Sequence, residues 1–132
     1  MSREAFWDLH HEVDIALDTW PVNGGATTCE TLWMGVPVVS FPGDTFASRA
    51  GLSILHSAGL DELVAGDEEG YVRLAASLAR DRSHLAQLRA SMRDRLRASP
   101  LLAAEPFTRS LEALYRAAWQ EACKMPENGI SA

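Results

Sequence analysis

Apolar residues first recur at helical spacing at Ala5, Phe6 and Leu9, so residues 3–12 are expected to form a short amphipathic helix. The pattern then changes. Val13-Asp14-Ile15-Ala16-Leu17 is short, rich in apolar side chains and bounded by Asp18-Thr19 and Pro21. That suits a buried parallel strand whose C-terminal end points at Asp18. Trp20-Pro21-Val22-Asn23-Gly24-Gly25 is a turn-forming run that continues neither element. Helical spacing resumes over Thr27-Thr28-Cys29-Glu30-Thr31-Leu32-Trp33-Met34, and Gly35 closes that helix. Pro37-Val38-Val39-Ser40-Phe41 reads as a second buried strand, and Pro42-Gly43-Asp44 as the loop leaving it.

Strand, glycine-bearing loop, helix and strand make a β-α-β unit, so the expected class is α/β with parallel strands. Residues 46–58 predict a further helix stopped by Gly59, residues 60–65 a short strand or a turn, and the remainder is helical. The helices fall at residues 71–80, 83–98 and 107–124, with Pro100 and Pro106 marking a break and Ser83 offered as an N-cap. In residues 83–98, Leu85, Leu88, Met92 and Leu96 form one stripe, the mark of a docked helix with a solvated charged face. Residues 1–124 are expected to be part of one lobe and residues 125–132 a frayed tail. Two strands fall short of the roughly 4–6 of an ordinary sheet. The missing strands are therefore expected upstream of Met1 in a longer parent, or from another chain.

Composition narrows the function classes. At 47% hydrophobic in 132 residues the chain has the makings of one soluble core. A net charge of −6, with dispersed arginines, offers no basic face to a nucleic acid. No stretch approaches the roughly 20 apolar residues of a membrane span, and the acidic first residues do not resemble an export signal, so a cytoplasmic protein is expected. The single lysine, Lys124, in a chain rich in arginine and alanine suggests a GC-rich bacterial coding sequence. Cys29 and Cys123 fit neither zinc-site spacing nor a disulfide framework, and are expected to be reduced and buried.

The stretch that can carry chemistry is Asn23-Gly24-Gly25-Ala26-Thr27-Thr28-Cys29-Glu30, between a strand end and a helix start. Glycines there let backbone approach a ligand, and the free amides and dipole of the helix N-terminus attract phosphate. Thr27 and Thr28 add hydroxyls. Glu30, three residues after Thr27, shares its helix face and has a carboxylate suited to two vicinal hydroxyls, such as those of a ribose. The same residues also allow a plain Gly24-Gly25 turn, a threonine N-cap and a capping box completed by Glu30. The run is neither a G-x-G-x-x-G fingerprint nor a P-loop. His10 and His11 read as surface side chains, and Arg49 as a structural partner of Asp44 rather than a phosphate ligand. Asp18 is suited to orienting the loop, and Trp33 with Met34 to core packing beneath it.

The residues from Val13-Asp14-Ile15-Ala16-Leu17-Asp18-Thr19-Trp20-Pro21 through Asn23-Gly24-Gly25, Thr27-Thr28-Cys29-Glu30, Leu32-Trp33-Met34-Gly35-Val36-Pro37-Val38-Val39, Gly43-Asp44 and Phe46-Ala47-Ser48-Arg49 carry a family likeness. Together they resemble the C-terminal catalytic lobe of protein O-linked N-acetylglucosamine transferases, including their bacterial relatives and the SPINDLY-like proteins. The likeness extends through Ser99-Pro100-Leu101 to the last helix. That family joins tetratricopeptide repeats to a two-lobed GT-B transferase, so the resemblance implies a partial, Rossmann-like second lobe. It further implies a UDP-sugar donor, UDP-N-acetylglucosamine or a relative, whose sugar passes to serine or threonine of proteins.

Carried across, Gly25, Ala26 and Thr27 fall where the family contacts the diphosphate, with Gly24 and Thr28 beside them, and Glu30 falls where an acidic residue holds the ribose. Ala26 stands where threonine is usual, leaving a backbone amide to serve. The family's histidine near the uracil ring aligns with Phe6, with His10 and His11 displaced. The resemblance assigns no catalytic residue within this chain. If the amides and threonines suffice for the diphosphate charge, no metal or other cofactor is needed. A lysine facing the diphosphate, the acceptor-side groups and the repeats would lie upstream, on the same chain or a partner, so the isolated chain is expected to be inactive. The alternative is a truncated lobe acting only as an interaction module.

Overall fold

The structure is a computed structural model and describes residues 2–124. They fall into two units, one ending at Leu102 and the other beginning at Ala103. The tail expected at residues 125–132 lies outside the described residues.

In the first unit, Ser2 caps α1 (Arg3–Leu9) by accepting from the Ala5 amide at 3.2 Å. The chain then enters a parallel pair, β1 (Ala16–Leu17) and β2 (Val38–Val39), with Ala16 opposite Val38 and Leu17 opposite Val39. Both strands are shorter than the hydrophobic runs predict. Ahead of β1, the carbonyls of Val13 and Asp14 accept from Arg89 at 2.7 and 2.9 Å, so a side chain takes the place of a ladder there. Beyond β2 the ladder changes partner: Ser40 forms a parallel bridge with Val64. Residues 60–65 are accordingly both of the expected alternatives, a 3-10 turn at Asp61–Leu63 followed by one strand-like contact.

Between the strands runs α2 (Ala26–Trp33), ended by Gly35 at φ 83°, where a side chain would be strained. The next helix, α3 (Ala50–Ser57), starts later than expected. Thr45 and Ser48 explain the delay: the Thr45 amide donates to the Ser48 hydroxyl and the Ser48 amide to the Thr45 carbonyl, which closes a local turn. Two acidic caps open the hairpin of α4 (Glu68–Arg80) and α5 (Arg82–Ala98). Asp67 accepts from Gly70, and Asp81 accepts from His84 at 2.9 Å. Ser83 is therefore not the N-cap. Its hydroxyl donates to the Asp81 carboxylate, which outcompetes it as a charged acceptor.

The α5 stripe of Leu85, Leu88, Met92 and Leu96 is buried as expected, against a core that includes Leu32, Val39, Leu55, Leu60 and Leu63. In the second unit, α6 (Ala104–Ala122) places Pro106 in its first turn, where no amide is missed. Phe107, Leu114, Tyr115 and Trp119 are exposed along it. No described helix is long and apolar enough to cross a membrane.

One ion pair ties α5 to the 3-10 turn. Burial pushes the Glu62 carboxyl up, but the hydrogen bond and charge of Arg95 outweigh it and hold it below the ordinary carboxylate value. A depressed folded pKa contributes stability that is present above the unfolded pKa and disappears as pH falls through the folded one. Thermal stability should thus decline on acidification through the carboxylate range, and Glu62→Gln should flatten that decline. Melting curves of both proteins across that range check this; identical slopes would contradict it.

Candidate functional site

The parallel unit delivers the loop after β1 to the entrance of α2. Asp18 is buried at the end of β1, and its Oδ1 accepts from the Gly24 amide at 2.8 Å while its Oδ2 accepts from the Ser40 hydroxyl at 2.6 Å. Its own carbonyl accepts from the Tyr71 hydroxyl at 2.8 Å. Asn23 holds the other side of the loop, donating from its side chain to the Thr19 carbonyl and accepting from the Gly51 amide. The Trp20–Pro21 peptide within this loop is cis. Trp20 stacks on Phe41 with ring centroids 6.2 Å apart, and Tyr71 meets Phe41 at a tilt of 56° with centroids 5.2 Å apart.

Gly25 is the N-cap of α2, and no side chain caps the helix. The first intrahelical bond is Cys29 amide to Gly25 carbonyl, so the amides of Ala26, Thr27 and Thr28 precede the helix's own bonding pattern. The threonine cap and capping box that the sequence also allowed do not form. Gly24 contributes space rather than a donor. Its amide is committed to Asp18, and a Cβ there would sit 2.4 Å from Thr28 Oγ1 and 3.0 Å from Thr27 Oγ1. A depression of about 140 Å³ lies at this point, lined by Asp18, Thr19, Gly24, Thr27, Thr28 and Thr31 among others. Gly25 and Ala26 are exposed at its helix.

Glu30 is turned elsewhere. With Trp7, Cys29, Trp33, Met34 and three leucines of the C-terminal part of the unit it lines a larger, mainly apolar cavity of about 530 Å³. The shared helix face expected for Thr27 and Glu30 is divided, because Thr31, four residues after Thr27, takes the position nearest to it. Phe6 sets its ring edge-on to His10 with centroids 4.8 Å apart, and it lines neither cavity.

Several side chains depart from expectation. His10 is buried: its Nδ1 donates to the Phe6 carbonyl at 2.8 Å, and its Nε2 meets the Thr31 hydroxyl at 3.0 Å, tying α1 to α2. His11 is exposed, as expected. Trp33 is not core. It is 39% exposed and carries the guanidinium groups of Arg93 and Arg97 over its ring at 5.9 and 5.4 Å. Arg49 donates to the Gly43 carbonyl, a structural role but not the expected pairing with Asp44. Cys123 is exposed, and only Cys29 is partly buried; burial pushes the Cys29 thiol up, which keeps it protonated. Among the described residues, no cluster of three or more His, Cys, Asp or Glu is placed to hold a metal ion. Ser40 and Tyr71, and the bond from Gly51 to Asn23, escaped the sequence reading, because single hydrogen bonds across 22, 53 and 28 residues leave no periodic trace.

Comparison with known proteins shows the family and the fold. A mutant of the Thermobaculum terrenum O-GlcNAc transferase superposes with a TM-score of 0.85 at 43% identity, covering 94% of this chain and 24% of that one. The fold is therefore part of a Rossmann-like lobe of GT-B type. Residues 8–111 match the model of glycosyl transferase family 41, and the chain belongs to that family. Similar proteins include the probable UDP-N-acetylglucosamine–peptide N-acetylglucosaminyltransferase SPINDLY of Hordeum vulgare, 48% identical over 111 residues, and that of Solanum lycopersicum, 45% identical. Each alignment covers 84% of this chain and 12% of the relative. The UDP-N-acetylglucosamine–peptide N-acetylglucosaminyltransferase of Caenorhabditis elegans is 36% identical over 107 residues. The chain thus spans about an eighth of the plant relatives' length.

Proposed function

We propose that this lobe binds the diphosphate and ribose of a UDP-sugar, UDP-N-acetylglucosamine or a close relative, within a transferase that places the sugar on serine or threonine of proteins. The observation that carries it is the uncapped first turn of α2, opening beside Thr27 and Thr28 at the C-terminal end of a parallel strand, in a chain of family 41. Ligands of open α/β sheets gather at such ends, and helix N-termini favour anions. As the glycosidic bond breaks, charge grows on the leaving diphosphate; fixed amides and hydroxyls aimed at it stabilise that state more than the ground state.

On this reading no metal takes part and Glu30 meets the ribose from the edge of the neighbouring cavity, while Phe6, packed against His10 and lining neither cavity, is left without a contact to the base. The chain acts with an upstream lobe, on the same polypeptide or a partner, in the cytoplasm. It has no transfer activity by itself.

Calorimetric titration with UDP tests the assignment. Thr27→Ala should weaken UDP and inorganic pyrophosphate alike, by roughly tenfold for the loss of a charge-assisted hydrogen bond. Glu30→Ala should weaken UDP while leaving pyrophosphate unchanged. Wild-type affinity untouched by both substitutions would refute the site.

A further inference from the structure

Asp18 lines the depression, yet both of its carboxylate oxygens point into protein: one to the Gly24 amide at 2.8 Å, the other to the Ser40 hydroxyl at 2.6 Å. A carboxylate at the rim of an anion site is an electrostatic cost. Its geometry shows what offsets that cost. Ser40 stands at the end of β2, and Gly51 in the first turn of α3 approaches so closely that a Cβ there would lie 2.1 Å from Asp18 Oδ2 and 2.3 Å from Ser40 Oγ. The carboxylate is therefore pinned from two sides and can itself hold the loop. Its Oδ1 fixes the direction of the Gly24 amide, one residue before the helix N-cap. Gly24 in turn lies against Thr27 Oγ1 and Thr28 Oγ1. Displacing Gly24 moves Gly25 and the first turn with it.

We propose that Asp18 is the positioning residue of the diphosphate site, acting through Gly24 to aim the amides of Ala26, Thr27 and Thr28 at the ligand. It makes no favourable contact with the ligand itself. The inference rests on the diphosphate reading above. Asp18 supplies an acceptor atom in one place and not a negative charge. Asparagine can provide the same atom: its carbonyl accepts from Gly24, and its amide donates to Ser40, whose hydroxyl can accept.

The test is UDP titration of the full chain with Asp18→Ala, Asp18→Asn, Ser40→Ala and Thr27→Ala, each paired with a melting curve. Asp18→Ala should weaken UDP by roughly tenfold, the scale of one misdirected hydrogen-bonding turn. Asp18→Asn should restore affinity to within about threefold of wild type or better it, since the repulsive charge is gone while the acceptor remains. Ser40→Ala, which removes one of the two pins but leaves the Gly24 bond and the Gly51 contact in place, should lower the melting temperature and weaken UDP by less than about threefold. If Asp18→Ala fails to fold, the asparagine and Ser40 variants decide by themselves. A tenfold loss of UDP affinity in either Asp18→Asn or Ser40→Ala overturns the inference. Undiminished binding by Asp18→Ala beside a weakened Thr27→Ala overturns it while sparing the diphosphate reading; absence of UDP binding in the wild type overturns both.

Discussion

Gly51→Ala should lower the stability of the chain by about 2–3 kcal/mol and its melting temperature by roughly 10–20 °C. The position lies in the first turn of α3, where alanine by propensity alone would add about 1 kcal/mol. Space decides against it. The new methyl would fall 2.1 Å from Asp18 Oδ2, 2.3 Å from Ser40 Oγ and 3.1 Å from Ser40 Cβ. Neither neighbour can give way cheaply, because the two are hydrogen-bonded to each other at 2.6 Å and Ser40 is fully buried in β2's continuation. Overpacking costs about 1–3 kcal/mol, and a disrupted buried bond adds about 1–3. Together these outweigh the propensity gain. A melting curve measures the result, and an unchanged or raised melting temperature would show that α3 does not sit against Asp18 as described.

Leu32→Ala should cost about 3 kcal/mol, within the range for a buried leucine cut to alanine. Leu32 is fully buried on the underside of α2, in the core cluster with Val39, Leu55 and Met92. The helix has only 8 residues, too few to be stable by hydrogen bonding alone, so packing holds it in place. Chemical denaturation should show a lower midpoint with little change in slope. A loss under about 1 kcal/mol would mean that α2 is anchored by something other than this side chain.

The sequence disclosed most of the architecture because it depends on periodicity and punctuation. The α5 stripe, the glycine stops at Gly35 and Gly59, and the order strand, loop, helix, strand follow from side-chain spacing and local backbone freedom, which a single sequence displays. Strand lengths did not, since apolar content sets where a strand can lie while its ladder depends on partners. Arg89 and Val64, distant in sequence, decide where pairing stops. In the site, the glycine-threonine run was legible as the turn from strand into helix because helix starts have a local grammar. Asp81 in place of Ser83 shows the limit of that grammar when two cap residues stand close together. Which way Glu30 faces was not legible: with Thr31 beside it, a rotation of one helical position separates the small depression from the apolar cavity. His10 was missed for a similar reason, its burial being created by Thr31 on another helix.

The most direct test is residue-resolved amide NMR of the full chain during titration with UDP. The amides of Ala26, Thr27 and Thr28 should move most and saturate together, with the Gly24 amide held by Asp18 following less. Saturating UDP that shifts a distant surface, and leaves the first turn of α2 where it was, would contradict the account.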